Sequence, residues 1–184
     1  MISILGISGS LRKASFNTAL LHAAKEVMPK NASLDIKTLQ GIPLYNGDEE
    51  VAHGVPASVV EFQKAIVESN AILIATPEYN NSIPGVLKNA IDWASRPSEK
   101  YQHVFAGKTV AVIGASPGRF GTVLAQNAWL PVLRLLQANP WFGGRLVIPQ
   151  AGKVFDNDGL LTDTFVKDAL EKFMVSFVAD IEAQ

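Results

Sequence analysis

The sequence has 184 residues, of which 48% are hydrophobic and 18% are charged, and its formal net charge is -1. This balance gives no basic field for a polyanion, so nucleic acid is not an expected partner. The chain has no cysteine, which excludes disulfides, thiolate nucleophiles and iron–sulfur clusters held by thiolates. No apolar stretch approaches the roughly 20 residues that span a bilayer, and the apolar start is too short for a signal peptide. We therefore expect a single domain over residues 1–184, cytoplasmic and without a membrane partner.

Short apolar runs rich in β-branched residues alternate with longer segments of helical period along the chain. The predicted strands are residues 2–7, 34–39, 71–75, 109–113 and 145–148. The predicted helices begin at residue 16, cover 56–69, begin at 84 and at 121, and cover 163–181. This alternation is typical of strand–helix units around a parallel sheet. Ligands of such sheets bind at the carboxyl ends of the strands, so the loops after the first, third and fourth strands are candidate sites.

The loop after the first strand, SGSLRKASFN, combines hydroxyl groups, an amide and a guanidinium just before a helix. Ser10, Ser15 and Asn17 are neutral donors, and Arg12 adds a planar set of charged donors. Together with the N–H groups of a helix start, these donors suit a phosphate monoester. The alternative is an ordinary glycine turn in which Ser15 only caps the helix. Neither the G-x-G-x-x-G pattern of dinucleotide-binding loops nor the spacing of a P-loop is present.

The loop after the third strand, TPEYNNSIPG, follows the most apolar strand of the chain. Its residues Glu78, Tyr79 and Asn80 place backbone amides, an aromatic ring and a carboxamide where a flat ring with polar edges can lie. The alternative is a capped turn in which Tyr79 only packs and Ser82 caps the next helix.

The loop after the fourth strand, GASPG, matches the G-x-S-x-G pattern of serine hydrolases. Two facts oppose a nucleophilic Ser116. The oxyanion hole of those enzymes uses the N–H after the serine, and Pro117 has none; moreover, all three histidines precede Ser116 in the chain. We interpret Ser116, Gly118 and Gly121 as a tight loop that lets the backbone approach a ligand.

The three loops together resemble the NADPH-dependent FMN reductase family, which includes bacterial quinone and chromate reductases. The resemblance lies in GSLR with Ser15 and Asn17, in PEYN followed by PGVLKNAIDW, and in GASPGRFG. It implies a flavodoxin-like fold, a doubly wound five-stranded parallel sheet of order 2-1-3-4-5 with helices on both faces. It also implies FMN as the cofactor, NADPH or NADH as the co-substrate, and a homodimer or homotetramer.

The resemblance further implies which residues bind the cofactor. The FMN phosphate would bind to the first loop. The isoalloxazine ring would contact the second loop along one edge and the third loop along its other edge. The implied cofactor-binding residues are Ser10, Arg12, Ser15, Phe16, Asn17, Pro77, Glu78, Tyr79, Asn80, Ser116, Gly118 and Arg119. No catalytic side chain is expected, because the flavin itself carries the hydride chemistry.

The expected activity is ping-pong transfer of hydride from NAD(P)H to the flavin and then to a quinone-like, azo, flavin or chromate acceptor. The alternative from another class is a flavodoxin-type electron carrier without a nicotinamide site. Arg12 and the balanced net charge argue against the carrier, since carriers are usually acidic and bind the FMN phosphate with neutral groups.

The segment before the fifth strand departs from the family's usual pattern. Pro131 falls inside the fourth predicted helix, where we expect it to kink or restart the helix. Trp141 and Phe142 precede the fifth strand, where a less aromatic connection is usual. They are either anchors of a subunit interface or a plug in the core, and the sequence does not favour one of these interpretations.

Overall fold

A parallel sheet forms the centre of the computed structural model, which describes residues 1–97 and 101–184. Its strands are β1 Ile2–Ser8, β2 Ala32–Lys37, β3 Ala71–Ala75, β4 Thr109–Ala115, β5 Asn139–Pro140 and β6 Leu146–Ile148. The order is β2-β1-β3-β4-β5, and β6 also pairs with β4. This confirms the predicted strand order and the flavodoxin-like class. The second strand begins and ends two residues earlier than predicted. Its pairing with β1 runs from Ala32 to Lys37, and Leu39 lies beyond this pairing, buried in the core on one face of the sheet.

Helices cover both faces of this sheet. They are α1 Phe16–Glu26, α2 Gly47–His53, α3 Ala57–Glu68, α4 Gly85–Ala94, α5 Tyr101–Phe105, α6 Val123–Leu135 and α7 Thr164–Glu182. Along β3 the side chains alternate between the faces: Leu73 packs with α1 and α7, whereas Ile72 and Ile74 pack with α3, α4 and α6. Burial on both faces explains why this strand is apolar at every position. None of the helices in the described residues combines the length and apolar character needed to cross a membrane.

The sequence analysis missed α2, although a helix signature precedes it. The Asn46 side chain accepts a hydrogen bond from the N–H of Asp48 at 3.0 Å, and acidic residues fill the first turn. Within this segment the hydroxyl of Tyr45 donates to the Glu50 carboxylate at 2.9 Å. That hydrogen bond raises the pKa of Tyr45, with a further contribution from desolvation.

The last strand position of the sheet is divided into two short pieces. The N–H of Trp141 still donates to the carbonyl of Val110, at 2.8 Å, but the chain then leaves the sheet and pairs again only from Leu146. Residues 111 and 112 of β4 therefore have no register partner on this side. The predicted fifth strand corresponds to β6 alone.

Trp141 and Phe142 take different environments. The Trp141 ring lies 4.9 Å from that of Phe173 and 5.0 Å from that of Phe177, and its indole N–H donates to Asp180 at 2.7 Å. Trp141 is thus a plug against α7, whereas Phe142 is 75% exposed.

Helix α6 runs through Pro131 as one continuous helix, so of the two expected effects the restart is wrong, and the kink stays a prediction. A proline at this position leaves the carbonyl of Asn127 without its usual intrahelical donor. Asn127 is exposed, and water can satisfy its carbonyl.

Candidate functional site

The loops after β1, β3 and β4 meet at one edge of the sheet because these strands are neighbours and run in the same direction. After β1 the chain forms β2 on one side of it and then crosses to form β3 on the other side. The strand order therefore reverses at β1, which makes this edge a topological switch point. Gly9 brings the first two loops together: its N–H donates to the Ala75 carbonyl at 2.9 Å. A Cβ at Gly9 would lie 2.7 Å from Pro77 and 2.6 Å from Leu87, so only glycine permits this approach.

The resulting cleft is lined by residues from all three loops. They are Ser10, Arg12, Ser15, Phe16, Asn17, Pro77, Glu78, Tyr79, Ala115, Ser116 and Pro117. The cleft therefore collects all of the predicted site residues except Asn80, Gly118 and Arg119.

The first loop presents hydrogen-bond donors to this cleft. Ser15 caps α1, because its Oγ accepts a hydrogen bond from the N–H of Thr18 at 3.3 Å. The Oγ of Ser10 accepts from the N–H of Arg12 at 3.2 Å. Both serines are buried, and in both contacts the hydroxyl acts as acceptor, so its proton remains available to a ligand. Ser15 thus caps the helix, as the alternative interpretation held, while it also lines the cleft.

Arg12 is the cation of the cleft. Its side chain is exposed, and no described carboxylate forms an ion pair with its guanidinium. The N–H groups of Phe16 and Asn17 occupy the first turn of α1, where they have no intrahelical acceptor. The guanidinium and the helix start together make this end of the cleft attractive to an anion.

Asn17 joins the first loop to the end of β4. Its Nδ2 donates to the Ala115 carbonyl at 2.9 Å, and the N–H of Ala115 donates to its Oδ1 at 3.0 Å. The two residues are 98 positions apart and the contact is buried. The carboxamide therefore fixes the distance between two walls of the cleft, and one of its N–H bonds remains for a ligand.

The second loop is a small hairpin. Tyr79 and Ser82 exchange backbone hydrogen bonds of 3.1 and 3.0 Å, and between them Asn80 and Asn81 have φ angles of 51° and 60°. Two consecutive positive φ angles in a two-residue connection are those of a type I′ turn, in which asparagine is favoured. Ser82 is engaged in this pairing, and α4 begins at Gly85 without a side-chain cap, so Ser82 does not cap that helix.

Glu78 turns its side chain away from the hairpin and onto α6. One carboxylate oxygen, Oε2, accepts from the N–H groups of Leu124 at 2.8 Å and Ala125 at 2.9 Å. The backbone N–H of Glu78 has no acceptor among the described residues, while Glu78 as a whole lines the cleft. The hairpin thus offers backbone rather than side-chain groups to a ligand.

The third loop is closed by its own serine. The hydroxyl of Ser116 donates to the Gly121 carbonyl at 2.8 Å, and the N–H of Ser116 donates to Ile148 at 3.0 Å. Gly121 has a φ of 61°, and a Cβ there would lie 2.3 Å from Val147. Since the Ser116 proton goes to a carbonyl rather than to a base, the geometry gives no support to a hydrolase. Arg119 lies at the exposed tip of this loop.

A sequence model of the family described as NADPH-dependent FMN reductase matches residues 2–153. The chain belongs to this family. The assignment confirms the expected resemblance, the FMN cofactor and the use of NAD(P)H, and it makes the protein a flavin-dependent oxidoreductase rather than an electron carrier.

Three relatives of this FMN reductase show how far the similarity extends. An NAD(P)H-dependent FMN reductase of Pseudomonas aeruginosa is 44% identical over 171 residues, which are 93% of this chain and 90% of the relative. A 2-hydroxy-1,4-benzoquinone reductase from a Burkholderia species is 36% identical over 97% of this chain and 95% of its own length. Among solved structures, FerB of Paracoccus denitrificans, a flavoenzyme NAD(P)H:(acceptor) oxidoreductase, has a TM-score of 0.86 and 34% identity. That alignment covers 100% of this chain and 98% of FerB.

The donors of the cleft fit the FMN of this reductase family. Two buried hydroxyl groups, a guanidinium and a helix start suit its phosphate, and the hairpin backbone beside Tyr79 suits a planar ring with polar edges. Three larger cavities lie elsewhere: two of about 370 Å³, one between α3 and the β1–β2 edge and one between α6 and the divided edge, and one of about 450 Å³ along α7. None of the three collects buried hydroxyl groups together with a helix start.

Two contacts that hold the loops of this reductase in place were not predicted from the sequence. Asn17 was expected only as a ligand donor, and the contact of Glu78 with α6 was not expected. Neither contact has a local sequence signal, because the partners lie 98 and 46 residues away.

Proposed function

We propose that the cleft holds FMN with its phosphate on the first loop and its ring on the hairpin, and that the physiological acceptor is a quinone. The observation that carries the proposal is the convergence of Arg12, Ser10, Ser15 and the start of α1 on one end of a cleft. The other end is closed by the hairpin. The quinone is supported by the relatives named 2-hydroxy-1,4-benzoquinone reductase and quinone reductase.

In this proposal the residues of the first loop bind the phosphate. Arg12 donates charged hydrogen bonds, the hydroxyl groups of Ser10 and Ser15 donate neutral ones, and the N–H groups of Phe16 and Asn17 complete the set. Asn17 holds this loop at a fixed distance from β4. We expect the phosphate to supply most of the affinity, because charged hydrogen bonds are about twice as strong as neutral ones.

The residues of the hairpin orient the ring. FMN, when bound, supplies the acceptance and donation of hydride. The backbone N–H of Glu78, which has no acceptor among the described residues, would donate to the edge of the ring and stabilise negative charge there. Pro77 and Tyr79 shape the adjoining wall, and Tyr79, which is 47% exposed, borders the open side of the cleft. NAD(P)H and the quinone occupy this open side in turn, so the first product leaves before the second substrate enters.

We also propose that the protein is a single domain, is cytoplasmic, forms a homodimer or homotetramer, and has neither nucleic acid nor a membrane as partner. Arg119 and Phe120, at the exposed tip of the third loop, are available to a second subunit or to an anionic substrate. Light scattering during size-exclusion chromatography measures the number of subunits.

The decisive experiment is an anaerobic titration of the FMN-loaded protein with NADPH, followed through the visible absorption band of the flavin. We expect bleaching at one equivalent and return of the band when a benzoquinone is added. Binding of FMN without bleaching would contradict the reductase mechanism, and absence of FMN binding would contradict the whole site. If azo compounds or chromate restore the absorption band faster than quinones do, the quinone is not the preferred acceptor.

A further inference from the structure

The start of α6 has no cap from its own sequence. Thr122 occupies the N-cap position, but its side chain accepts no hydrogen bond from the first turn of the helix, and its Oγ1 accepts from Gln126 Nε2 at 3.2 Å. The first N–H groups of a helix need acceptors, and a carboxylate there is also favoured by the helix dipole. Glu78 supplies that acceptor from 46 residues away, through a single oxygen atom shared by Leu124 and Ala125.

Pro131 adds to the need of α6 for such a cap. Pro131 removes one hydrogen bond from the middle of the helix, so the turns before it rest on fewer internal bonds. The cap fixes those turns to the hairpin.

The hairpin depends on the same contact. Asn80 and Asn81 form a two-residue turn with φ angles of 51° and 60°, which closes the hairpin but does not fix its position against the rest of the protein. The Tyr79–Ser82 pair closes the far end of the hairpin, and the Glu78 carboxylate anchors the near end. Glu78 also lines the cleft, and its backbone N–H has no acceptor among the described residues.

We propose that Glu78 is a positioning residue for the flavin ring: its carboxylate fixes the hairpin to α6, so that the backbone of residues 77–80 is held in place beside the ring. This inference rests on the proposed function. Glu78 acts through the hairpin and not through contact of its carboxylate with the flavin.

Two conservative variants of Glu78 distinguish the effect of side-chain length from the effect of negative charge. In Glu78→Gln, the amide oxygen can still accept from both N–H groups, because a single oxygen does so in the wild type. In Glu78→Asp, the charge is kept but the side chain is one methylene shorter and loses the contact. Asp163→Ala is the matched control, because Asp163 caps α7 through the N–H of Val166, at 2.9 Å, away from the cleft.

The measurements are dissociation constants for FMN and for riboflavin, which lacks the phosphate, together with the urea unfolding midpoint of the apoprotein. We expect the dissociation constants of Glu78→Gln for both flavins to be within about twofold of those of the wild type. Glu78→Asp should bind both flavins about tenfold more weakly, which corresponds to a loss of about 1.4 kcal/mol of binding free energy. Asp163→Ala should lower the unfolding midpoint but leave both constants unchanged. Amide exchange at Leu124 and Ala125 should be faster in Glu78→Asp and unchanged in Glu78→Gln.

Equal flavin binding by Glu78→Asp and the wild type would overturn the inference. Flavin binding by Glu78→Gln that is as weak as that by Glu78→Asp would also overturn it, because the negative charge and not the contact would then determine the affinity. Failure of the wild type to bind either flavin would instead overturn the proposed function. The two failures are therefore distinguishable.

Discussion

The phosphate end and the ring end of the cleft are built in opposite ways. In the first loop, Ser10, Ser15 and Arg12 keep donors free for a ligand, and the backbone is held by an ordinary helix cap. In the hairpin, the Glu78 side chain is engaged in holding the loop, and the backbone is what remains free. A phosphate can be recognised by any dense set of donors, whereas a ring edge requires donors at fixed positions, for which backbone on a braced hairpin is better suited.

The contact between Asn17 and Ala115, which joins the first loop to the end of β4, should have the largest effect when it is lost. Asn17→Ala removes both hydrogen bonds to Ala115 and leaves a buried N–H and a buried carbonyl unpaired. We expect the free energy of unfolding to fall by about 3 kcal/mol, measured by urea denaturation of the apoprotein. Asn31→Ala is the control, because its amide contact with Glu182 is exposed and its loss should cost less than about 0.5 kcal/mol. Equal effects would show that Asn17 does not hold the walls of the cleft.

The second prediction tests whether the phosphate end of the cleft contributes to FMN affinity independently of the ring end. Arg12→Ala should weaken FMN binding about 30-fold, since a hydrogen bond to a charged group contributes about 2 kcal/mol, and should leave riboflavin binding unchanged. Fluorescence titration with both flavins measures this difference. Lys13→Ala serves as control, because Lys13 is exposed and does not line the cleft. If Arg12→Ala weakens both flavins equally, the division into two ends is wrong.

The smallest effect concerns the hairpin turn. Asn81 has a φ of 60°, so Asn81→Gly relieves backbone strain and should change stability by no more than about 0.5 kcal/mol, whereas Asn81→Ala should lose about 1 kcal/mol. Urea denaturation of the two variants side by side measures the difference. Riboflavin affinity should follow the same order, and the reverse order would contradict a type I′ turn.

The sequence predicted the parts of this molecule that depend on local pattern. The apolar run at β3 and the helical period after Pro84 identified the sheet and its covering helices, and clustered polar residues identified the loops of the cleft. The signature of α2 was also local, since Asn46 precedes three acidic residues. The contacts of Asn17 and Glu78 were not predictable, because each depends on where a distant segment packs. The divided edge strand was missed for the same reason: Trp141 leaves the sheet to pack on α7.

The divided edge has a consequence for the motions of the sheet. The carbonyls of Val110 and Ile113 accept bonds from opposite sides of β4, so by alternation the N–H of Val112 points toward the gap between β5 and β6. Strand β4 lies inside the sheet, where amide hydrogens normally exchange with solvent only on global unfolding. We expect Val112 to exchange much faster than the flanking residues of the same strand, as a single open position in an otherwise protected core.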